Sequence, residues 1–326
     1  MKITMAHGSG GKPSAELMSS VFGKHFKNSI LDKMEDAAVL EVSGKIAFST
    51  DSFVVTPLEF PGGDIGKLCV CGTVNDLLMM GAEPKYLTCG FILEEGLEIE
   101  TLDRIVASMA KQAEIAGVKI VAGDTKVVEG SGGLYINTSG IGIIPEDRDV
   151  SAANCRPGDK LILSGNLGDH HATILSARME IENGIKSDCG CLKDITDALF
   201  DNGITVRTMR DVTRGGLGTI LNEIADTSGC RIELQEESLP VSEEVRGFAD
   251  ILGLDPLYMA NEGKMIAIVP GDQAEKALEL MRGTEHGKNS VIIGDICEGG
   301  GTYIVTRLGG SRVLDVLYGE GLPRIC

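Results

Sequence analysis

DIGKLCVCGTVNDLLMMGAEPKYLTCGFIL, residues 64–93, is the stretch from which the fold is most readily predicted. Its first part, Asp64 to Met80, is apolar on almost every side of a helix, which predicts a buried helix. Its second part, Tyr86 to Leu93, is rich in the aromatic and aliphatic residues found in strands, which predicts a strand. A buried helix followed by a strand is expected where helices cover a sheet.

The same alternation of helices and strands continues on both sides of this stretch. Apolar periodicity predicts strands at 46–48, 118–121, 134–144, 160–163, 231–234, 264–269, 290–293 and 303–306, and helices at 101–116, 170–183, 192–202, 242–252 and 272–282, with one more opening after residue 216. We therefore expect an α+β protein of two domains, each a mixed sheet covered by helices.

Two polar stretches, at 145–149 and 156–159, mark the expected boundary between these domains. A chain of 326 residues with 43% hydrophobic content is long enough to build two cores. The predicted divisions are a glycine-rich N-terminal segment at 1–35, an N-terminal domain at 36–150, a C-terminal α+β domain at 151–310 and a mobile tail at 311–326.

The acidic charge of the chain limits its partners. Thirty basic and 48 acidic residues give a formal net charge of −18 at pH 7, which opposes nucleic-acid phosphates and anionic membranes. The N-terminus has no apolar signal-sequence core, and no run of about eighteen apolar residues occurs, so neither export nor a membrane span is predicted. We expect a cytoplasmic protein without a nucleic-acid or membrane partner.

The nine cysteines are expected to be mostly reduced in that compartment, and their odd number prevents complete internal pairing. The pairs Cys69-Val70-Cys71 and Cys189-Gly190-Cys191 lack the C-x2-C spacing of common structural zinc sites. In a helical pattern, residues 69 and 71 also point apart. Both pairs therefore favour small buried side chains over metal ligands.

The chain ends in a thiol, Cys326, which follows glycines at 319 and 321 and Pro323. Residues 311–326 span at most about 50 Å when fully extended, enough for an arm that presents the sulfur to an active site in this chain or a partner. The other interpretation is a frayed terminus that happens to end in cysteine. Prenylation of the C-a-a-X type is not predicted, because it needs cysteine four residues from the end.

Standard nucleotide signatures are absent from the glycine-rich run Gly8-Ser9-Gly10-Gly11-Lys12. Gly11-Lys12 lacks a glycine five residues earlier, and Pro13 occupies both the Ser/Thr position of a P-loop and the last glycine position of a Rossmann fingerprint. The run is either a mobile loop whose exposed amides cover phosphates or a plain flexible terminus.

Acidic residues near predicted strand ends or in apolar surroundings are stronger candidates for a site. Asn75 and Asp76 interrupt an otherwise apolar helix, where a buried carboxylate is costly unless it has a cation. Each aspartate alone fits a turn or helix cap, but together they supply the hard oxygen ligands of Mg²⁺, with Arg210, Arg214 and Lys126 beside them for phosphate oxygens. The set comprises Asp36, Asp51, Asp76, Asp124 and Asp211.

Seven motifs together resemble the HypE family of hydrogenase maturation factors, carbamoyl dehydratases of the superfamily that includes aminoimidazole ribonucleotide synthetase. The aspartate and Thr-Arg-Gly-Gly motifs mark the superfamily, whereas the terminal Pro-Arg-Ile-Cys is specific to HypE. The resemblance covers essentially the whole chain. The motifs are His7 to Lys12, Ser49 to Ser52, Val74 to Asp76, Ala122 to Lys126, Arg210 to Gly216, Asn261 to Lys264 and Pro323 to Cys326.

The resemblance implies a homodimer whose N-terminal domains pair into a barrel-like sheet, with ATP and Mg²⁺ in the cleft between domains. The implied metal ligands are the five aspartates. The implied cofactor-binding residues are Asp36, Asp51, Asn75, Asp76, Asp124, Lys126, Arg210, Asp211, Thr213, Arg214, Gly215 and Gly216.

The resemblance also implies a reaction. The carbamoyltransferase HypF would place a carboxamide on Cys326, and ATP-dependent dehydration would convert it to a thiocyanate. The cyano group would then pass to iron on the HypC–HypD complex for [NiFe] hydrogenase. Lys126 and Glu262 are the candidates for proton handling and phosphate contact, so the implied catalytic residues are Cys326, Lys126 and Glu262.

Two other functions remain open at this point. Within the superfamily, the chain could be a selenide dikinase or a thiamine-phosphate kinase. The selenide enzyme would need a reactive cysteine near the glycine-rich run, yet the first cysteine is Cys69. From a different class, the chain could be a non-enzymatic carrier that offers Cys326 to a metal or redox partner.

Overall fold

The computed structural model describes residues 2–8, 11–33 and 37–316. Asp36, the tail from residue 317 to Cys326, and Ser9 and Gly10 of the glycine-rich run lie outside the described residues. Within them, no helix is both long and apolar enough to cross a lipid bilayer.

The N-terminal half is a four-stranded sheet with helices on one face. The strand order is β1-β6-β4-β5, antiparallel except for the parallel pair β4 and β5. The elements are α1 (Gly11–Leu17), α2 (Gly23–His25), β1 (Lys45–Phe53), β2 (Glu59–Phe60), β3 (Gly63–Asp64), α3 (Ile65–Met79), β4 (Glu83–Glu94), α4 (Ile99–Ala116), β5 (Lys119–Val128) and β6 (Leu134–Ile144).

The predicted central helix is α3, and it is buried on nearly every side. Asp64 caps its N-terminus by accepting a hydrogen bond from the Lys67 amide at 2.9 Å. Gly66 permits close packing on α4, because a Cβ at this position would lie 2.3 Å from the Ile105 carbonyl oxygen. A helix without a polar face must be covered all round, and α3 lies between the sheet, α4 and the second domain.

The C-terminal half is a seven-stranded sheet in the order β13-β12-β9-β11-β7-β10-β8. Only β9 and β12 are parallel. Its elements are β7 (Lys160–Leu163), α5 (Asp169–Arg178), α6 (Lys193–Asp201), β8 (Thr208–Asp211), α7 (Gly216–Ser228), β9 (Arg231–Gln235), α8 (Glu243–Leu252), β10 (Met265–Val269), α9 (Ala274–Arg282), β11 (Val291–Cys297), β12 (Gly301–Val305) and β13 (Ser311–Val313).

The two halves share a hydrophobic core. One continuous cluster joins Val70 and Val74 of α3 to Leu192 and Ile195 at the start of α6. The expected α+β class with two sheet-and-helix domains is confirmed, and this shared core gives the domains a fixed contact through α3.

The mobile tail was predicted to begin at residue 311, and the structure corrects that start. Ser311–Val313 forms an edge strand on β12, and Leu314 behind it is fully buried. Asn222 Nδ2 donates to the Leu314 carbonyl at 2.9 Å, and the Tyr258 hydroxyl donates to the Asp315 carbonyl at 2.5 Å. Strand pairing and one apolar anchor therefore attach the chain as far as Asp315.

Candidate active site

Three of the predicted aspartates come together at the contact between the two domains. Asp51 lies on β1, Asp76 on α3 and Asp211 at the last position of β8. Both β1 and β8 pack against α3. Ser49 Oγ donates to Asp76 Oδ2 at 2.5 Å, and Thr73 Oγ1 donates to Asp51 Oδ2 at 3.3 Å. We call Asp51, Asp76 and Asp211 the carboxylate centre.

The carboxylate centre carries more negative charge than its surroundings neutralise. Burial raises the pKa of Asp76 to about 7, and the neighbouring carboxylates of Asp211 and Asp51 add to this against the Ser49 hydrogen bond. Burial likewise raises the pKa of Asp211 to about 6, although Arg210 opposes the shift. Carboxylates that repel one another in a partly buried site are what a bound cation would stabilise.

The oxygen ligands present fit Mg²⁺. No three His, Cys, Asp or Glu side chains among residues 2–8, 11–33 and 37–316 are arranged to ligate one metal ion directly. Mg²⁺ commonly uses one or two carboxylates and completes its shell with waters and substrate phosphates. The centre therefore suits Mg²⁺ that arrives with a phosphate ligand.

Asp124 and Lys126 lie apart from the carboxylate centre within one chain. Asp51 pairs across the sheet with Thr138, Thr138 with Cys89, and Cys89 with Gly123. These four residues therefore share one face of the sheet. Asp124 follows Gly123 and so points to the opposite face, on a strand about 14 Å from β1 at the usual strand spacing. Its carboxylate pairs with exposed Lys126 Nζ at 2.8 Å, which lowers the pKa of Asp124.

The predicted motif from Arg210 to Gly216 contains Asp211 and ends at the first residue of α7. Gly215 and Gly216 have φ angles of 78° and 62° and form the turn into α7. A Cβ at Gly216 would lie 2.6 Å from the Tyr258 Cα, so only glycine fits there. Within the described residues, Arg214 makes no ion pair, whereas Arg210 Nη2 donates to Glu223 Oε2 at 2.5 Å. The turn between Thr213 and Gly216 therefore places Arg214 and the N-terminus of α7 beside the centre, where phosphate oxygens are favoured.

Glu262 lies in a buried loop at the same end of the second sheet. The loop leads into β10, whose first residue, Met265, is paired with Asp211. Asn261 Nδ2 donates to the Val212 carbonyl at 2.9 Å, and the Val212 amide donates to the Lys264 carbonyl at 2.8 Å. Glu262 is 5% exposed. The structure thus brings the predicted catalytic glutamate to the strand end that bears Asp211.

Asn75, which the resemblance implies as a nucleotide ligand, contacts a loop of the second domain. Its side chain is 2% exposed. Asn75 Nδ2 donates to the Gly190 carbonyl at 3.0 Å, and Asn75 Oδ1 accepts from the Leu192 amide at 2.9 Å. The side-chain amide of Asn75 therefore joins α3 to a loop of the second domain. This loop covers the side of the apolar helix on which Asn75 lies.

The two C-x-C pairs are buried, as the sequence predicted, and the described cysteines are free thiols. Cys69 Sγ donates to the Gly66 carbonyl and Cys71 Sγ to Gln112 Oε1. The neighbouring Cys71 thiol and burial raise the pKa of Cys189 well above its usual value, and burial raises that of Cys191 to about 11. The four buried side chains act as packing groups.

A cavity of about 670 Å³ lies between the N-terminal helices and strands β4 and β5. Its walls are mostly apolar and include Phe22, Phe26 and Ile120, while Asp124 also lines it. An apolar cavity with a few polar groups is typical of small-ligand sites. Sequence reasoning missed this cavity because its walls come from segments about a hundred residues apart. It also missed Asp188, which contacts the Glu262 loop and lies in a stretch without a recognised motif.

The chain is similar to known proteins over nearly its whole length. The AIR synthase related protein family matches with its N-terminal domain over residues 34–144 and its C-terminal domain over 156–307. Carbamoyl dehydratase HypE of Rhodobacter capsulatus is 48% identical over 335 residues, covering 100% of this chain and 98% of that protein.

Two solved structures are similar over nearly the full length. Hydrogenase maturation protein HypE in complex with ATP has a TM-score of 0.94 and 47% identity, covering 99% of each chain. The matching chain of a HypE–HypF complex has a TM-score of 0.81 and 48% identity, covering 92% of this chain and 99% of that chain. The chain belongs to the HypE family of AIR synthase-related proteins.

Proposed function

We propose that this protein is an ATP-dependent carbamoyl dehydratase that converts a carboxamide on the thiol of Cys326 to a thiocyanate. The observation that carries the proposal is the carboxylate centre, which unites both domains beside a glycine turn suited to phosphate. The relatives support it, since curated ones bear the name carbamoyl dehydratase and one solved relative binds ATP. Cys326 lies outside the described residues, and its role is carried over from the terminal motif.

ATP is proposed to place its phosphates at the carboxylate centre. Asp51, Asp76 and Asp211 would hold Mg²⁺, partly through water, and Arg214 and the amides at the start of α7 would contact phosphate oxygens. When bound, Mg²⁺ supplies positive charge that neutralises the phosphates and the three carboxylates. The apolar cavity beside Asp124 is proposed to take the nucleobase, and Asp36 is kept as a proposed ligand from the sequence.

The chemistry requires phosphate because an amide oxygen is a poor leaving group. Transfer of the γ-phosphoryl group to that oxygen, with loss of one proton from nitrogen, gives a phosphorylated imidate and ADP. Breaking the C–O bond with loss of the second proton gives the nitrile and inorganic phosphate. Glu262 is proposed to accept a proton, because it is buried next to the strand end that bears Asp211. Lys126 is proposed to contact phosphate or handle the other proton.

A homodimer is proposed because, within the described residues, the N-terminal sheet has an uncovered face and two unpaired edges. Ile46, Phe48 and Ile92 on that face are 49%, 65% and 45% exposed. The edge strands are β1, which bears Asp51, and β5, which bears Asp124 and Lys126. Pairing these edges between two copies would close the sheets into a barrel and put β5 of one copy, which bears Lys126, beside β1 of the other, which bears Asp51.

The remaining partners are proposed from the family. HypF would deliver the carboxamide, as suggested by the solved complex of a relative. The HypC–HypD complex would receive the cyano group for the hydrogenase iron. The reaction is proposed to occur in the cytoplasm.

Intact mass spectrometry tests the proposal. Protein carbamoylated by HypF and freed of small molecules should carry one carbamoyl group at Cys326, and should then lose one water only when ATP and Mg²⁺ are added. Cys326→Ser should do neither. ATP hydrolysis that does not require the carbamoylated tail would favour a small-molecule kinase, and a stable adduct without ATP-dependent water loss would favour a carrier.

A further inference from the structure

The loop at residues 187–192 contacts both α3, which bears Asp76, and the loop that bears Glu262. It also contains the Cys189-Gly190-Cys191 pair. We infer that Asp188 in this loop is a positioning residue for Glu262, and that the loop sets the position of Glu262 relative to the helix that bears Asp76. The inference rests on the proposed function for its link to catalysis. The placement of Glu262 by Asp188 rests on hydrogen bonds and packing contacts alone.

Asp188 binds three consecutive residues of the Glu262 loop. Its side chain is 2% exposed. Both carboxylate oxygens accept from the Glu262 amide at 3.3 Å, and Oδ2 also accepts from the Gly263 amide at 3.0 Å. Lys264 Nζ lies 3.4 Å from Oδ2, with its side chain 13% exposed. Lys264 is therefore the internal counterion of Asp188, and breaking a buried pair of this kind is costly.

The two loop backbones are in direct contact as well. The Gly190 amide donates to the Glu262 carbonyl at 3.3 Å. A Cβ at Gly263 would lie 1.9 Å from the Asp188 carbonyl oxygen, so only glycine permits this approach. Glu262 is therefore fixed at its amide by Asp188 and at its carbonyl by Gly190, which defines where its side chain begins.

The first domain anchors the other side of the loop. Asn75 binds the Gly190 carbonyl and the Leu192 amide, and the next residue along α3 is Asp76. The Ser187 amide donates to the Pro61 carbonyl at 2.9 Å. A short path thus runs from α3 through Asn75, Gly190 and the Glu262 backbone. It explains why a polar residue is present beside Asp76 in an apolar helix.

Asp188 also has an acidic neighbour that makes its charge balance sensitive to substitution. Burial raises the pKa of Asp169 to about 7, with Asp188 and Glu244 adding to this and Lys264 opposing it. Removing the charge of Asp188 would free Lys264 to pair with another carboxylate, either Asp169 or Glu262. The Glu262 carboxylate would then lose its position.

The experiment compares Asp188→Asn with Asp188→Glu and Glu262→Gln. Hydrogen–deuterium exchange of peptides covering 261–264 should accelerate roughly tenfold in Asp188→Asn, because two amides lose a charged acceptor. Single-turnover dehydration of protein carbamoylated beforehand should slow about 10- to 100-fold, as expected when a reacting group is displaced. The dissociation constant for ATP should change less than about twofold. Asp188→Glu should recover part of the rate, and combining Asp188→Asn with Glu262→Gln should add little.

Asp159→Asn is the matched control. Asp159 is a buried carboxylate that accepts from the Arg156 amide and pairs with Arg207, at the opposite end of β10 from Glu262. The Asp159→Asn variant should have a lower melting temperature than wild type and an unchanged dehydration rate at 25 °C. Normal exchange at 261–264 in Asp188→Asn, or accelerated exchange with a wild-type dehydration rate, would overturn the inference. If wild-type protein performs no dehydration, the proposed function fails, and the exchange measurement still decides whether Asp188 positions Glu262.

Discussion

The carboxylates of Asp76 and Asp211 lie close together although they belong to different domains, and the charge of Asp211 helps to raise the pKa of Asp76 to about 7. Asp76 is on α3 of the first domain and Asp211 ends β8 of the second. The repulsion between them is expected to weaken the contact between domains when no cation is bound. Ligand-free stability and ligand binding are therefore expected to depend on the same charges.

Replacing Asp76 by Asn should stabilise the ligand-free protein by about 1 to 2 kcal/mol at pH 8. A carboxyl group whose pKa is higher in the folded state stabilises the fold when protonated, and this contribution disappears as pH rises from about 4 through 7. The advantage of the Asn variant should therefore grow over this range, which urea unfolding at several pH values would measure. Asp159→Asn, which removes a paired carboxylate, should be destabilising. An Asp76→Asn variant less stable than wild type at pH 8 would contradict the prediction.

Binding of Mg²⁺ and ATP should weaken as pH falls. The metal needs ionised carboxylates, and Asp76 and Asp211 take up protons near pH 7 and 6. Titration calorimetry between pH 7.5 and 5.5 should show at least a tenfold loss of affinity, after allowance for protonation of ATP itself. EDTA should abolish the increase in melting temperature caused by ATP. A flat pH profile would mean that these carboxylates do not contact the ion.

Two inactive variants should complement each other when mixed. Asp51 and Lys126 lie on opposite edge strands of the same sheet, and a dimer that pairs these edges would put the strand of Lys126 from one copy beside the strand of Asp51 from the other. After co-refolding of Asp51→Asn with Lys126→Gln, about a quarter of the sites should have both residues intact, provided that dimers form at random. Dehydration should recover to roughly that fraction. No recovery, despite proven mixed dimers, would place both residues of one site in one chain.

The last ten residues should be dispensable for folding, whereas the segment before them should not. Removal of 317–326 leaves β13 and the buried Leu314 in place, so melting temperature and ATP binding should stay near wild type while dehydration is lost. Removal of 311–326 also deletes Leu314 and the acceptors of Asn222 and Tyr258, and should cost about 2 to 4 kcal/mol. Thermal and urea unfolding of both truncations would check this. Equal stability of the two would show that the edge strand contributes nothing.

Much of the fold was predictable from local pattern. The extents of α3, β4 and β6 were nearly correct, since apolar periodicity within ten to fifteen residues reflects which faces are buried. β8 was missed because it is only four residues long and ends in Arg210-Asp211, which gives no apolar run. β13 was missed for a similar reason, since its three residues are exposed and its stability comes from the neighbouring strand.

The candidate site shows the same division between local and long-range information. Aspartates in apolar surroundings could be selected from the chain, because an unpaired buried carboxylate is costly wherever it lies. Their grouping could not, since Asp51, Asp76 and Asp211 meet only when α3 packs on both sheets. Asp124 was selected in the same way but does not join this group. Strand pairing and the alternation of side chains put it on the face of the sheet opposite Asp51. Asp188 lies in no motif, and its contact with the Glu262 loop arises because hydrogen bonds and close packing join segments that are distant in the chain.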